Sequence, residues 1–463
     1  MLSFDLVIQD GTVFTADGPR TMDVGITGAH IAGIAESLDG AAEIDASGCY
    51  VLPGGIDPHV HLQMPAGDII SSDDFTSGTR AAALGGTTTV IDFVEPEPAE
   101  PLLEALQERR QEADGSAVID YGLHMTIPAW HAQHPQSLAQ LSDVVDAGVS
   151  SFKLYMAYEG FRLDDAQLYE VIVAVRKVGG LPVVHCENGP ICELLRSRAL
   201  ARGHTSAIHH AATRPPRQEA EAVSRIIDIA ALARSPIYIV HVSCESALAR
   251  IQTARSCGDV VYGETCPQYL LLDRSLLGGE DGERLICAPP LRTQADRDAL
   301  WDGLRQGHVD VVATDHCPFS AAEKAGHRDF TTVPGGLPSI EARLALVHNA
   351  LADRAIGLER WSQVCSSNAA HIFGLGRKGR IALGLDADLL VFDAGQELTI
   401  QAGETLHENV DWTPYAGRRI RGWTRDVISR GQIVVREGEF VGPADHGRFV
   451  PRTSCARGRE PTR

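Results

Sequence analysis

The sequence predicts a (β/α)8 barrel, the TIM-barrel class of α/β fold, joined to a small β-sandwich domain built from both chain ends. Three observations carry this. Between residues 53 and about 378, eight short apolar or β-branched runs alternate with stretches at helical spacing, the signature of parallel strands with helical crossovers. The two flanks instead show short strand patterns broken by turn signals, and because chain termini often lie close together the flanks can share one domain. His, Lys and Asp recur at the ends of the strand-like runs, the end at which barrels of this class keep their chemistry.

The first flank, 1–52, reads FDLVI from Phe4, the Asp10-Gly11 turn, TVF from Thr12, DVGI from Asp23 and IAGI from Ile31, a β-meander grammar. The strands expected next are 50–61, 87–93, 118–127, 150–156, 181–187, 236–243, 259–266 and 310–316. Helical spacing rich in Ala, Leu, Glu and Arg covers 98–113, 135–147, 164–178, 217–234, 245–256 and 294–306, and 190–216 reads as irregular. A second β block, 379–441, contains RIALGLDADLLVFD and DVISRGQIVVR. The tail, 442–463, is rich in Arg, Pro and Gly without apolar periodicity, so it is expected to be disordered or pinned to a neighbouring subunit.

The formal net charge is -20, from 41 basic and 61 acidic side chains, and no basic run could follow a phosphate backbone. Nucleic acid and anionic membrane are therefore not expected as partners. No apolar stretch reaches the roughly 20 residues that span a bilayer, and the start lacks a secretion signal, so a cytoplasmic enzyme for small molecules is expected. The ten cysteines form no CxxC pair; buried, reduced thiols are expected, with a catalytic role for Cys186, Cys244 or Cys317 as the lesser alternative.

His59 and His61 close the segment GGIDPHVH. On a strand, residues two apart face the same side, so both imidazoles can reach one divalent metal, although two such histidines can equally be hydrogen-bonded core residues. Further candidates end later strands: Lys153 in SSFKLYMAY, His185 in LPVVHCENG, His241 in PIYIVHVSCE and Asp315 in DVVATDHCPF. Four imidazoles and one carboxylate suffice for two ions if one more anion bridges them. A lysine ammonium has no lone pair, but a neutral Lys153 amine could take up carbon dioxide and become carboxylate-like; the alternative is an ordinary salt bridge. His124, His204, His209, His210, His308 and His371 are expected in core or surface roles, and His316 as support behind a ligand.

These residues, with PGGIDPHVH, FKLYMAY, VVHCENG, GETCPQYLLLD, PPLR and GRIALGLDADLLVFD in order over nearly the whole chain, resemble the cyclic amidohydrolase superfamily in its dihydropyrimidinase or D-hydantoinase branch. The resemblance implies a metal-dependent hydrolase that opens a dihydropyrimidine or 5-substituted hydantoin to the N-carbamoyl amino acid. It implies two divalent ions, zinc with manganese or cobalt as alternatives: His59, His61 and Asp315 on one, His185 and His241 on the other, with carboxylated Lys153 and a nucleophilic hydroxide bridging. Asp315 becomes general base and then acid, and Tyr158 steadies the oxyanion. The ring is gripped in this branch by backbone groups of a serine and an asparagine, where this chain has Ala288 and Gly335. Leu62, Met64, Phe93, Tyr155 and Phe161 are the expected apolar wall for the ring substituent. A homotetramer, or a homodimer, is implied as well. Allantoinase, dihydroorotase or another cyclic imide hydrolase are the alternatives among enzymes, and a catalytically inactive scaffold paralogue is the alternative outside them; no arginine of the dihydroorotase kind stands beside HVH.

Overall fold

The computed structural model describes residues 4–452. Eight parallel strands follow one another in chain order around the barrel: Gly55–Asp57, Thr87–Val94, Asp120–Thr126, Ser151–Tyr155, Leu181–His185, Ile237–Ile239, Val261–Thr265 and Val311–Val312. Their inner side chains, among them Ile56, Ile91, Val183, Tyr238 and Val311, form one buried cluster that the helix Asn368–Ile372 and Phe373 close from below. Closure between strands eight and one comes just beyond their ends. Val60 bridges His316 in parallel, Asp315 N–H donates to the His59 carbonyl at 2.9 Å, and His61 N–H donates to the His316 carbonyl at 2.8 Å.

The expected single strand 50–61 is two strands. Tyr50–Pro53 belongs to the end sheet and Gly55–Asp57 to the barrel. Gly54 is the pivot, since a Cβ there would lie 2.2 Å from Thr88 Oγ1; only a residue without a side chain lets the backbone pass. The expected helix 135–147 is divided into Pro135–Ala139 and Leu141–Asp146. The stretch expected to be irregular, 190–216, instead holds the helices Gly189–Ala201 and Ile208–Thr213. The first of these has Pro190 in its first turn and is capped by Asn188, whose Oδ1 accepts from Ile191 N–H, signals that fit a helix start.

Both chain ends enter one nine-stranded, mostly antiparallel sheet. Phe4–Thr15 pairs in parallel with Gly40–Asp45 through residues 4–9, then with Tyr50 and Val51 through Thr12 and Val13. It changes partner at a bulge where Asp10 takes a φ of 57° and a Cβ on Gly11 would lie 2.4 Å from Val51 Cγ2. Tyr50–Pro53 joins the halves by pairing antiparallel to Leu389–Phe392. Leu6, Ile8, Val24, Ile26, Val51, Leu389 and Val391 form a separate core for this sheet.

A buried ionic knot fastens the sheet to the barrel floor. Lys378 Nζ lies 2.7 Å from Asp120 Oδ2 on the third barrel strand and bonds Asp388, while Arg430 Nε bonds Asp120 Oδ1 at 2.9 Å. The tail as far as Arg452 is ordered against its own barrel, contrary to the disorder its composition suggests. Gly447 N–H donates to Ala117, Val450 N–H to Tyr121 and Arg452 N–H to Gly148; backbone hydrogen bonds hold it, and apolar periodicity does not report them. Of the tail 442–463, expected to be disordered or to contact a neighbouring subunit, residues 453–463 lie outside the described residues. Among the described residues, no helix is long and apolar enough to cross a membrane.

Candidate metal centre

The closing ladder between strands one and eight carries Asp315 against the two histidines. His59 Nε2 and His61 Nε2 lie 3.1 and 3.2 Å from Asp315 Oδ1, and one ligand atom from each of the three residues falls within 4.8 Å of the others. His59 Nε2 is buried and makes no hydrogen bond. Such an orphan is costly unless a partner that is not a hydrogen-bond donor occupies the site. Asp315 has a φ of 53° and His241 one of 40°, left-handed conformations that cost a non-glycine residue energy and cluster at functional sites.

Glu264, fully buried at the end of strand seven, orients this group. Its Oε1 lies 2.7 Å from His59 Nδ1 and accepts from His241 N–H at 3.0 Å, and its Oε2 accepts from the Tyr238 hydroxyl at 2.8 Å. Holding Nδ1–H against a carboxylate leaves Nε2 as the lone-pair nitrogen. Burial lifts the Glu264 carboxyl to about 8 even against these donors. On the far side, His185 Nδ1 faces His241 Nε2 at 2.9 Å, and His185 Nε2 lies 3.0 Å from Glu187 Oε2. Glu187 is in turn bonded by Arg214 and, at 2.9 Å, by Gln218 Nε2.

Burial holds His59 and His241 well below the usual imidazole range, Lys153 and His185 adding to it respectively, and it lowers His185 too. Neutral imidazoles are what metal ligation requires. Asp315 goes the other way: burial opposes its ionisation, but His59, His61 and His241 outweigh it and keep the carboxyl far below its ordinary range. Lys153 is 1% exposed, its Nζ 4.8 Å from the Phe93 ring centre and 5.2 Å from that of Tyr155. Burial pulls its ammonium down against the field of Asp315, Glu264 and Glu95, and no ion pair holds it among the described residues. A buried amine inclined to neutrality is one that can add carbon dioxide. The donor set therefore fits divalent metal, with His59, His61 and Asp315 close enough to share an ion.

A cavity of about 570 Å³ opens above these groups, lined by His59, His61, Lys153, His185, His241 and Asp315 at its floor. Of the expected substrate residues, Met64, Tyr155, Tyr158, Phe161, Ala288 and Gly335 line it. Tyr158 has a φ of 71° and its ring centre lies 5.0 Å from that of His185; a phenol is protonated near neutral pH and can donate. Leu62 and Phe93 do not line the cavity, and the expectation for both is corrected. Leu62 is fully buried, turned under the helix Phe75–Leu84, where a Cβ on Gly78 would meet its Cδ2 at 2.3 Å. Phe93 stacks beneath the ligands, its ring centre 4.7 Å from His61 and 5.0 Å from His59.

Sequence reasoning passed over several residues. Lys324, fully buried, donates to the Ile286 carbonyl at 3.0 Å and the Gly336 carbonyl at 2.6 Å, tying together the loops of Ala288 and Gly335. His210, expected to be uninvolved, lines the cavity and anchors the Cys287 carbonyl through Nε2 at 2.8 Å. Glu95 also reaches the wall. Only Glu264 had a local signal, as an acidic residue in the strand-like VVYGETC; the others lie in loops or helices without period. His124 bonds Ser151 and the Pro58 carbonyl below the ligands, and His316 bonds Asp73 at 3.0 Å. Burial pushes Cys192 and Cys287 on the wall up to about 12 and raises Cys186, Cys244 and Cys317 as well, which argues against a thiolate nucleophile.

Residues 50–434 match the model of the amidohydrolase family. The chain is 42% identical over 455 residues to a D-hydantoinase of Geobacillus stearothermophilus, covering 96% of both, and 42% identical to a D-hydantoinase of Streptomyces coelicolor, covering 98% of this chain and 99% of that one. Among solved structures, the dihydropyrimidinase of Brevibacillus agri superposes with a TM-score of 0.95 at 42% identity over 97% of this chain and 99% of that one. The L-hydantoinase of Arthrobacter aurescens gives 0.88 at 27% identity, over 97% and 100%. The chain belongs to the amidohydrolase family, in its D-hydantoinase and dihydropyrimidinase branch.

Proposed function

We propose that the protein hydrolyses the ring amide of a cyclic ureide or imide, a 5-substituted hydantoin or a dihydropyrimidine, to the N-carbamoyl amino acid. The observation that carries this is the convergence of His59, His61 and Asp315 at the cavity floor, with the unbonded His59 Nε2 among them. His59, His61 and Asp315 would hold one divalent cation, His185 and His241 a second, and carboxylated Lys153 both; zinc, manganese and cobalt all suit these ligands. Bound there, the ions supply a nucleophilic hydroxide near neutral pH and Lewis acidity toward the ring carbonyl.

The protein's own groups do the rest. Lys153 becomes the carbamate by attack of its neutral amine on carbon dioxide with loss of one proton. Asp315, ionised in the resting site, accepts the one proton of the attacking hydroxide and returns it to the ring nitrogen as the amide C–N bond breaks. The Tyr158 hydroxyl donates to the carbonyl oxygen as negative charge develops on it. Backbone groups at Ala288 and Gly335 grip the ring edge, their loops tied by Lys324. Backbone contacts do not depend on the side chain, so alanine and glycine at these positions keep the donors and acceptors.

The test is hydrolysis of hydantoin, dihydrouracil and 5-substituted analogues by metal-replete protein, with bound metal measured on the same sample. Turnover with about two divalent ions per chain is expected. Active protein without bound ions would refute the mechanism, and metal-replete protein that opens none of the rings would refute the substrate class.

A further inference from the structure

The wall expected to be apolar contains a carboxylate. Glu95 follows directly on the second barrel strand, Thr87–Val94, and precedes Pro96, which restricts the backbone of the residue before it to extended conformations. It lines the cavity beside Tyr155 and accepts from the Tyr155 hydroxyl at 3.3 Å. Tyr155 is part of the chamber above the ligands, its ring centre 5.5 Å from Phe161, 5.8 Å from Tyr158 and 5.8 Å from His185. Among the described residues Glu95 forms no ion pair, whereas Glu193 on the same wall is paired with Arg162. One long hydrogen bond from a phenol leaves a carboxylate with most of its acceptor capacity unused.

We infer that Glu95 is a specificity determinant, and that the protein prefers cyclic ureides whose ring substituent carries a cationic or N–H-rich end, an amine, guanidine or ureido group, over those with an alkyl or aryl end. This rests on the proposed function, since Tyr155, Phe161 and Met64 are the wall on which the substituent would lie. An alkyl end seated there must strip water from a carboxylate and returns nothing for it; a donor end replaces that water with a charge-assisted hydrogen bond. The stem of the substituent still packs on Met64 and the two aromatic rings, so the pocket selects a short apolar chain with a polar tip.

The experiment compares 5-(3-aminopropyl)hydantoin with 5-butylhydantoin, equal in length, for kcat/KM and for binding by calorimetry, in the wild type, Glu95→Gln and Tyr155→Phe. Glutamine keeps an acceptor for Tyr155 and removes the charge. The wild type is expected to favour the amine, and Glu95→Gln to lower that preference about 10- to 100-fold, the scale of a hydrogen bond to an ionised group. An equal preference in wild type and Glu95→Gln overturns the assignment. So does an equal shift in Tyr155→Phe, which would make Glu95 an anchor for that ring and nothing more. Binding preference lost in Glu95→Gln with no turnover of either compound upholds Glu95 and sinks the proposed reaction.

Discussion

Removing Glu264 should separate two costs that the structure stacks on one carboxylate. In Glu264→Leu, three buried donors lose their acceptor: His59 Nδ1–H, His241 N–H and the Tyr238 hydroxyl. At about 1–3 kcal/mol for each unsatisfied group the loss is about 3–9 kcal/mol, a large part of the roughly 5–15 kcal/mol that keeps a domain folded. Glu264→Gln keeps the shape and one oxygen, and the Tyr238 hydroxyl can turn to accept from the amide. Burial already disfavours the charge here, so the folding cost of the amide should stay below about 1.5 kcal/mol, the ordinary net worth of one hydrogen bond. What the amide cannot do is raise the basicity of His59, and loss of such support typically lowers metal affinity about 10- to 100-fold. Urea denaturation of the metal-free proteins and competition with a chelator measure the two quantities independently. Wild-type metal affinity in Glu264→Gln would show that the charge of Glu264 does not support His59, and wild-type stability in Glu264→Leu would show that its oxygens do not hold the three donors.

Lys153→Ala should lose metal and activity together, whereas Tyr158→Phe should keep its metal and lose about 10²–10³ in kcat; equal metal loss in both variants contradicts the roles proposed for them. Leu62→Ala should cost about 2–5 kcal/mol of stability and leave KM unchanged, because Leu62 lies under a helix and not on the cavity wall; a raised KM with intact stability would return it to the substrate. His59, His124 and His241 are held well below 6.5, chiefly by burial, whereas hydrogen bonding to Glu341 raises His407. In the metal-free protein the three depressed imidazoles should stay neutral by NMR as pH falls from 7 to 5.5, while His407 is still protonated above 6.5. Each of the three then costs stability below 6.5, about 1.4 kcal/mol per pH unit, because the unfolded chain binds a proton that the folded chain refuses. Protonation of His59 or His241 within that range would contradict their burial.

The strand ends could be read locally because alternation and apolar runs are properties of neighbours in sequence. His59, His61, Lys153, His185, His241 and Asp315 each terminate such a run, and all six stand at the floor of one cavity. The same pattern puts Leu62 and Phe93 on the cavity wall, and neither lines it. A residue just past a strand can turn toward the cavity or toward the covering helix, and only the packing of Phe75–Leu84 decides this for Leu62. Glu95 had no signal at all, because a lone acidic residue in a loop has no period to break.

The amino-acid order alone determined the alternation of strands and helices, the two flanking β blocks, and the kinds of side chain at each strand end, since all of these follow from periodicity and residue chemistry over a few positions. Only the tertiary structure decided that Gly54 splits one apolar run between two sheets, that the tail lies along its own barrel, and that Asp315 meets His59 and His61 through the ladder closing strand eight on strand one. Each of these depends on backbone hydrogen bonds and close contacts between segments far apart in the chain, and no local pattern encodes which distant segment will supply the partner.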